Sequence, residues 1–154
     1  MANRRVTAPL RVTERVDYAL RAVLLLARHE GDYLTTNVVA EGGGMSTKML
    51  ATVLWNLRSA GILESRPGWH GGFRLARPPH EIPLHAVITA ASAEDAPAWR
   101  SNGAGQWPPH STPSERGDRP SDLVDDFWQA LDDHVRATLT TFTVADLVAA
   151  HSFP

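Results

Sequence analysis

The chain of 154 residues contains no cysteine. That single absence excludes disulfides, thiolate metal sites and thiol redox sensing. Lysine is nearly absent as well, with Lys48 the only one. Long apolar runs are missing. The densest, AVLLLA at 22–27, is closed by Arg21 and Arg28, and none reaches the roughly 18 residues a membrane span needs. The N-terminus, MANRRVTAPLR, is basic but precedes no apolar stretch with a small-residue cleavage site. These features read as a cytoplasmic protein. Catalytic signatures are missing too. His29-Glu30 lacks the second histidine of a zinc-protease helix, and no serine sits in a Gly-x-Ser-x-Gly elbow. Gly68 to Gly72 lacks the Gly-Lys-Ser/Thr ending of a phosphate loop. His80, His85, His134 and His151 show no tight ligand spacing. An enzyme is not expected, and no cofactor or metal is predicted.

What is present is polarised. Residues 1–77 hold eleven Lys/Arg against six Asp/Glu, a balance of +5, whereas residues 78–154 hold four against eleven, a balance of −7. A basic half joined to an acidic one suggests a polyanion-binding face on the first and a different task for the second. The bland alternative is an uneven surface with no partner.

Periodicity divides the chain further. Over 13–29, Val16, Leu20, Val23, Leu24 and Ala27 recur at steps of three and four, which predicts an amphipathic helix capped by Thr13 and ended by Gly31. A short helix over 35–41 is predicted with Thr36 as cap and Val38, Val39 and Ala40 inward, broken by Gly42-Gly43-Gly44. Ser46 or Thr47 caps the next helix, which buries Met49, Leu50, Val53, Leu54 and Leu57 and stops before Gly61. Two short strands at 62–66 and 72–75 flank a Pro-Gly-rich turn. Residues 84–91 form another short helix. Helix, short helix, turn, helix and hairpin make a winged helix-turn-helix. The fold class is therefore mainly α with a small β-wing, plus a long C-terminal dimerisation helix.

That last helix is read over 121–142, capped by Ser121 with Asp122 in its first turn. Val124, Phe127, Trp128, Leu131, Val135, Leu139 and Phe142 form a broad apolar stripe on an otherwise acidic helix, which we read as a dimer interface. Thr143 to Asp146 opens a final short helix with a capping-box-like signal. Between 92 and 120 there is no usable period, only Pro, Gly, Ser and Asn around three large rings, Trp99, Trp107 and His110. Those rings dock on the core, line an effector pocket or partner surface or, as the remaining reading, form a metal site. The domain reading is a flexible arm at 1–10, a DNA-binding domain at 11–91, a loop at 92–120, and the dimerisation and terminal helices at 121–150.

The helix over 46–59 carries the chemistry of a DNA reader. Serine and threonine hydroxyls at a helix N-terminus suit phosphates, and Asn and Thr can read base edges. Trp55 lies between apolar ridges, a place for core or interdomain packing or for a base or sugar contact.

Four segments carry a resemblance. They are LRVTERVDYALRAVLLLA at 10–27, MSTKMLATVLWNLRSAGIL at 45–63, SRPGWHGGFRLARPPHEIPLHAVITAA at 65–91 and TLTTFTVADLV at 138–148. In that order the chain resembles the winged-helix bacterial regulators that include the iron–sulfur cluster regulator, the nitrite-sensitive repressor and the cysteine-metabolism repressor. The resemblance implies a homodimer on a partly palindromic double-stranded operator, with a recognition helix in the major groove and a wing in the minor groove. Those roles map onto Ser46, Thr47, Lys48, Thr52 and Asn56 for the helix and onto Arg66, Trp69, His70 and Arg74 for the wing and its stem. Many members hold an iron–sulfur cluster through three cysteines in the segment matching 92–120. This chain has none there, and Pro67 follows Arg66 where the commoner form has glycine. The expectation is a DNA-binding regulator, a repressor without a cysteine-ligated cluster. The alternative is action mainly through a protein partner or small molecule at the 92–120 loop, with only weak DNA affinity.

Overall fold

A computed structural model describes residues 12–92 and 120–149, without the side chains of 120–122 and 125. The arm at 1–10, the rings at Trp99, Trp107 and His110, and the capping role of Ser121 lie outside the described residues. The first helix, α1, spans Glu14–Arg28, and the Thr13 hydroxyl accepts from the Val16 amide at 3.4 Å. His29 is its C-cap, two residues before Gly31. Its buried face differs from the expected stripe. Leu20 and Leu24 are only half-buried, while Ala19, Ala22, Val23 and Leu26 lie fully inside. Alanines there let neighbouring backbones come close. Helix α1 packs on every other helix of the winged unit and on the wing.

Helix α2 spans Thr36–Gly43, and its cap is Thr35 rather than Thr36, since the Thr35 side chain accepts from the Val38 amide. The glycine triplet does not break it as a unit. Gly42 and Gly43 are helical, and a Cβ on either would strike Leu25 or Met45 at under 3 Å. Only Gly44, at φ 63°, turns the chain out. Val38, expected to pack inward, is exposed. Helix α3, Thr47–Ser59, buries Leu50, Val53, Leu54 and Leu57 completely. Each such side chain contributes about 1.5–3 kcal/mol relative to exposure. The Ser46 hydroxyl makes no capping bond to α3, but the Ser46 amide donates to the Tyr18 hydroxyl at 3.0 Å. Helix α1 thus anchors the start of α3.

The hairpin pairs β1, Leu63–Arg66, with β2, Gly72–Leu75, in antiparallel register, Glu64 facing Arg74 and Arg66 facing Gly72. Leu34 bridges to Phe73 on the other edge, through amide bonds of 2.9 and 2.8 Å. A Cβ on Gly72, which sits at φ 140°, would come within 2.3 Å of the Leu34 carbonyl oxygen, so this close approach requires glycine. A 3₁₀ turn at Pro79–Glu81 leads to α4, Leu84–Ala91.

The long helix α5 spans Pro120–Thr141, and α6 spans Val144–Val148. The capping box of α6 is complete, with the Thr143 amide donating to Asp146 at 2.7 Å and the Asp146 amide donating back to the Thr143 hydroxyl. The Leu84 amide donates to the Phe142 carbonyl at 2.8 Å, and that of Val144 to Ile82 at 2.9 Å. These bonds stitch the end of α5 to the strand-like exit of the wing. The apolar stripe of α5 is accordingly divided. Leu139 and Phe142 pack on the chain's own core. Leu131 and Val135 are half-buried, and Val124, Phe127 and Trp128 stand in the open. Among the described residues no helix is long and apolar enough to cross a membrane.

Leu54→Ala should lower stability by about 2–5 kcal/mol, the usual cost of a cavity in a tightly filled core. Urea denaturation of the variant measures this, and a loss well under 1 kcal/mol would place α3 at a looser surface than described.

Candidate nucleic-acid interface

Helix α3 presents one continuous exposed arc. Thr47, Lys48, Ala51, Thr52, Trp55, Arg58 and Ser59 all face outward, and Ser46 stands exposed at the head of the helix. The helical step decides which later residues share the face of Lys48. Seven residues bring the chain round to within about 20° of its starting direction, and eight leave it about 80° away. Trp55 therefore continues the Lys48 line, and Asn56 does not. Asn56 is half-buried, and its amide nitrogen is enclosed with no hydrogen-bond partner. This corrects the expectation that Asn56 belongs to the exposed set. Trp55 is not core either. It is 56% exposed, and the Arg58 guanidinium lies 4.6 Å over its ring. A flat apolar surface with a cation above it suits a sugar or base face and a phosphate. Sequence reasoning passed over Arg58 entirely. Its three-residue spacing from Trp55 was the available signal.

The wing follows α3 in the chain, and β1 packs against that helix. Trp69 at its tip is 94% exposed, with Pro67, Gly68 and His70 exposed around it. Arg66 is exposed at the end of β1, and its guanidinium donates to the His70 carbonyl at 2.9 Å, closing the tip. Arg74 stands differently. Its guanidinium pairs with Glu64 and donates to the Gly31 carbonyl at 3.4 Å. It is held in the root of the wing by these partners and, like Arg66, lines the cleft beside the wing.

A residue outside the expected set organises this root. Tyr33, in the turn before α2, donates its hydroxyl to Glu64 at 2.8 Å. Its ring lies under two guanidinium groups, Arg66 at 4.8 Å and Arg74 at 4.5 Å. Hydrogen bonds from Tyr33 and then Arg74 hold the Glu64 carboxyl below the usual carboxylate range. The bond to Glu64, with some desolvation, pushes the Tyr33 phenol above its ordinary value, so it remains a donor through neutral pH. A cleft of about 530 Å³ opens between this turn and the wing, walled by Arg66, Trp69 and His70. Tyr33 and Glu64 are 31 residues apart, so no local pattern could have joined them.

Residues 12–150 match the model of the Rrf2 family, described as an iron-dependent transcriptional regulator. The chain belongs to the Rrf2 family. A helix-turn-helix-type transcriptional regulator of Mycobacterium tuberculosis is 31% identical over 94% of this chain and 84% of its own length. The regulator IscR of Serratia proteamaculans is 31% identical over 90% and 79%. Among solved structures, IscR of T. potens superposes with a TM-score of 0.69 at 23% identity, covering 94% of this chain and 90% of that one. CymR, the global cysteine regulator of B. subtilis, gives 0.66 at 21%, covering 91% and 97%. At those identities the structures establish the fold alone. Family membership bears out the resemblance read from the four segments and makes this a DNA-binding transcriptional regulator rather than an enzyme.

The iron in the family description has no thiolate to meet here. Biological clusters rest mainly on cysteine sulfur, and the chain contains none. Among the described residues no group of three or more His, Asp or Glu is placed to hold a metal. The donor set does not fit a cysteine-ligated cluster.

The depressed Glu64 value sets a pH dependence. A carboxylate whose folded value lies below its unfolded one adds stability in full above the unfolded value, about 4.3. That contribution disappears as pH falls through the folded value. The melting-temperature difference between wild type and Glu64→Gln should therefore be largest near neutral pH and shrink as pH is lowered below about 4. A difference that stays constant from pH 7 to 3 would show that the charge of Glu64 does not stabilise the wing root.

Proposed function

We propose that the protein is a homodimeric, sequence-specific repressor that binds a partly palindromic operator without a cysteine-ligated iron–sulfur cluster. One observation carries this reading: α3 presents a single exposed arc with Lys48, Thr52, Trp55 and Arg58, and the wing that packs on α3 through β1 exposes Arg66, Trp69 and His70. Ser46 and Thr47 at the start of α3 supply hydroxyls and free helix amides for phosphate. Lys48 and Thr52 face base edges in the major groove, where a helix of this kind docks. The wing enters the neighbouring minor groove, with Trp69 and Arg66 leading.

Dimerisation rests on the open end of α5. Phe127 is 59% exposed and Trp128 is 46% exposed, and their rings meet edge to face at 5.2 Å. With Leu123 and Val124 they form an apolar patch that nothing in the described residues covers. A second copy of α5 would bury it, with Leu131 and Val135 extending the seam and Leu139 at its inner margin. Two winged units held this way present two recognition helices to a two-fold operator. Within this reading an effector acts through the 92–120 segment, with Trp99, Trp107 and His110 as its candidate contacts, by biasing the angle between the wings. The reading implies a cytoplasmic protein.

Genomic-fragment selection with the purified protein in near-physiological salt tests the main point. Enrichment of a two-fold symmetric site is expected. Recovery of nothing beyond salt-sensitive background would favour partner docking instead. On the enriched site, Arg66→Ala should weaken binding to all sequences and reduce the salt slope by about one. An unchanged slope would contradict a phosphate contact by this side chain. The double variant Phe127→Ala, Trp128→Ala should sediment as a monomer, and a persistent dimer would defeat the interface.

A further inference from the structure

The wing arginine on which the proposed minor-groove contact depends is not free in the folded chain. Its guanidinium lies over the Tyr33 ring at 4.8 Å and donates to the His70 carbonyl at 2.9 Å. Tyr33 is itself held. Its hydroxyl donates to Glu64, which pairs with Arg74, and Arg74 covers the ring at 4.5 Å. The adjoining residue, Leu34, is bonded into the edge of β2 through both of its backbone groups. Swinging the ring away breaks the Glu64 bond, and shifting its backbone strains the adjoining strand bridge as well.

Arginine side chains carry several rotatable bonds, and fixing one at a binding site costs conformational entropy. A ring that holds the guanidinium before DNA arrives removes part of that cost. It also keeps the charge beside the tip, where Trp69 and His70 stand. We infer that Tyr33 is a positioning residue for DNA binding, stacking Arg66 in its groove-ready place and tying it through Glu64 to the turn between α1 and α2. This inference rests on the regulator reading above, because it concerns how that reading's wing contact is prepared. Tyr33 needs no contact with the DNA.

Two measurements on the full chain test it. In the free protein, proton–nitrogen spectra of the arginine side chains should show the Arg66 Nε proton shifted upfield by the ring current. The shift should survive in Tyr33→Phe and vanish in Tyr33→Leu, which retains bulk but has no π face. On the selected operator, Tyr33→Leu should bind roughly three- to tenfold more weakly, while Tyr33→Phe recovers most of the affinity. In an Arg66→Ala background, Tyr33→Leu should cost nothing further, because its effect passes through that arginine. A merely structural role for Tyr33 would leave the loss intact in that background and would overturn the inference. An unshifted Arg66 proton in wild type would overturn it without any variant having to fold. Wild type that binds while Tyr33→Leu is unchanged overturns this inference alone. Wild type that selects no site overturns the regulator reading and the inference with it.

Discussion

Close packing around α1 is the constraint on which the other elements depend. Ala19 and Ala22 present no bulk on the face where the helices meet, and Val16, Val23 and Leu26 fill the space around them. Helices α2, α3, α4 and α6 all lean on that helix, and so does β2. Because interiors are filled to crystal-like density, a shift of α1 is felt wherever it packs. The Tyr18 hydroxyl extends the same control to a polar contact by receiving the Ser46 amide at the head of the recognition helix. The direction in which α3 points is therefore a property of the core before it is a property of the DNA-facing surface.

The wing depends on a different kind of restraint. Two short strands alone would be marginal. Leu34 adds a third edge through two backbone bonds, and Gly72 is what allows it to come so near. The side chains of Tyr33, Glu64 and Arg74 then cross-link the turn before α2 to both strands of the hairpin. The charges involved are partly exposed, so each pair contributes little alone. Their shared geometry matters more, because it fixes where Arg66 lies. The Glu64 carboxyl and the stacked guanidinium of Arg66 thus belong to one small cluster around Tyr33.

Backbone bonds between 82–84 and 142–144 bring the C-terminal end of α5 onto the winged unit. They fasten the inner end of α5 to the winged unit and leave its other end, with Phe127 and Trp128, projecting from it. In the proposed dimer, an attachment of this kind would let the paired helices transmit a change in spacing to both wings. The absence of cysteine removes the thiolate route by which such a change could be driven by iron or redox state.

Much of this was readable from residue order, because local rules govern it. The period of α1, the apolar face of α3, the Pro-Gly turn of the wing and the Thr143–Asp146 box each depend on residues within a turn or two of one another. The paired glycines and the Phe-Arg-Leu after them likewise carried the family's wing into view. What the sequence could not determine is anything set by contact between distant segments. Gly42 and Gly43 look like helix breakers, yet both are helical, with the ends of Leu25 and Met45 packed close over them. Asn56 looks like a base reader, yet the winding of α3 turns its amide inward and puts Trp55 in line with Lys48. Arg74 reads as a lone wing cation, yet Glu64, ten residues away across the hairpin, pairs with it, and Tyr33 lies against it from a turn before the hairpin begins. Leu139 and Phe142 continue the stripe of Phe127 and Trp128, and only the packing of α5 against α4 decides that they belong to the chain's own core. Sequence by itself determined the class of protein and its elements, because periodicity and turn chemistry are short-range. Tertiary structure decided which side chains stand exposed and which are buried or partnered, because that depends on contacts between segments distant in the chain.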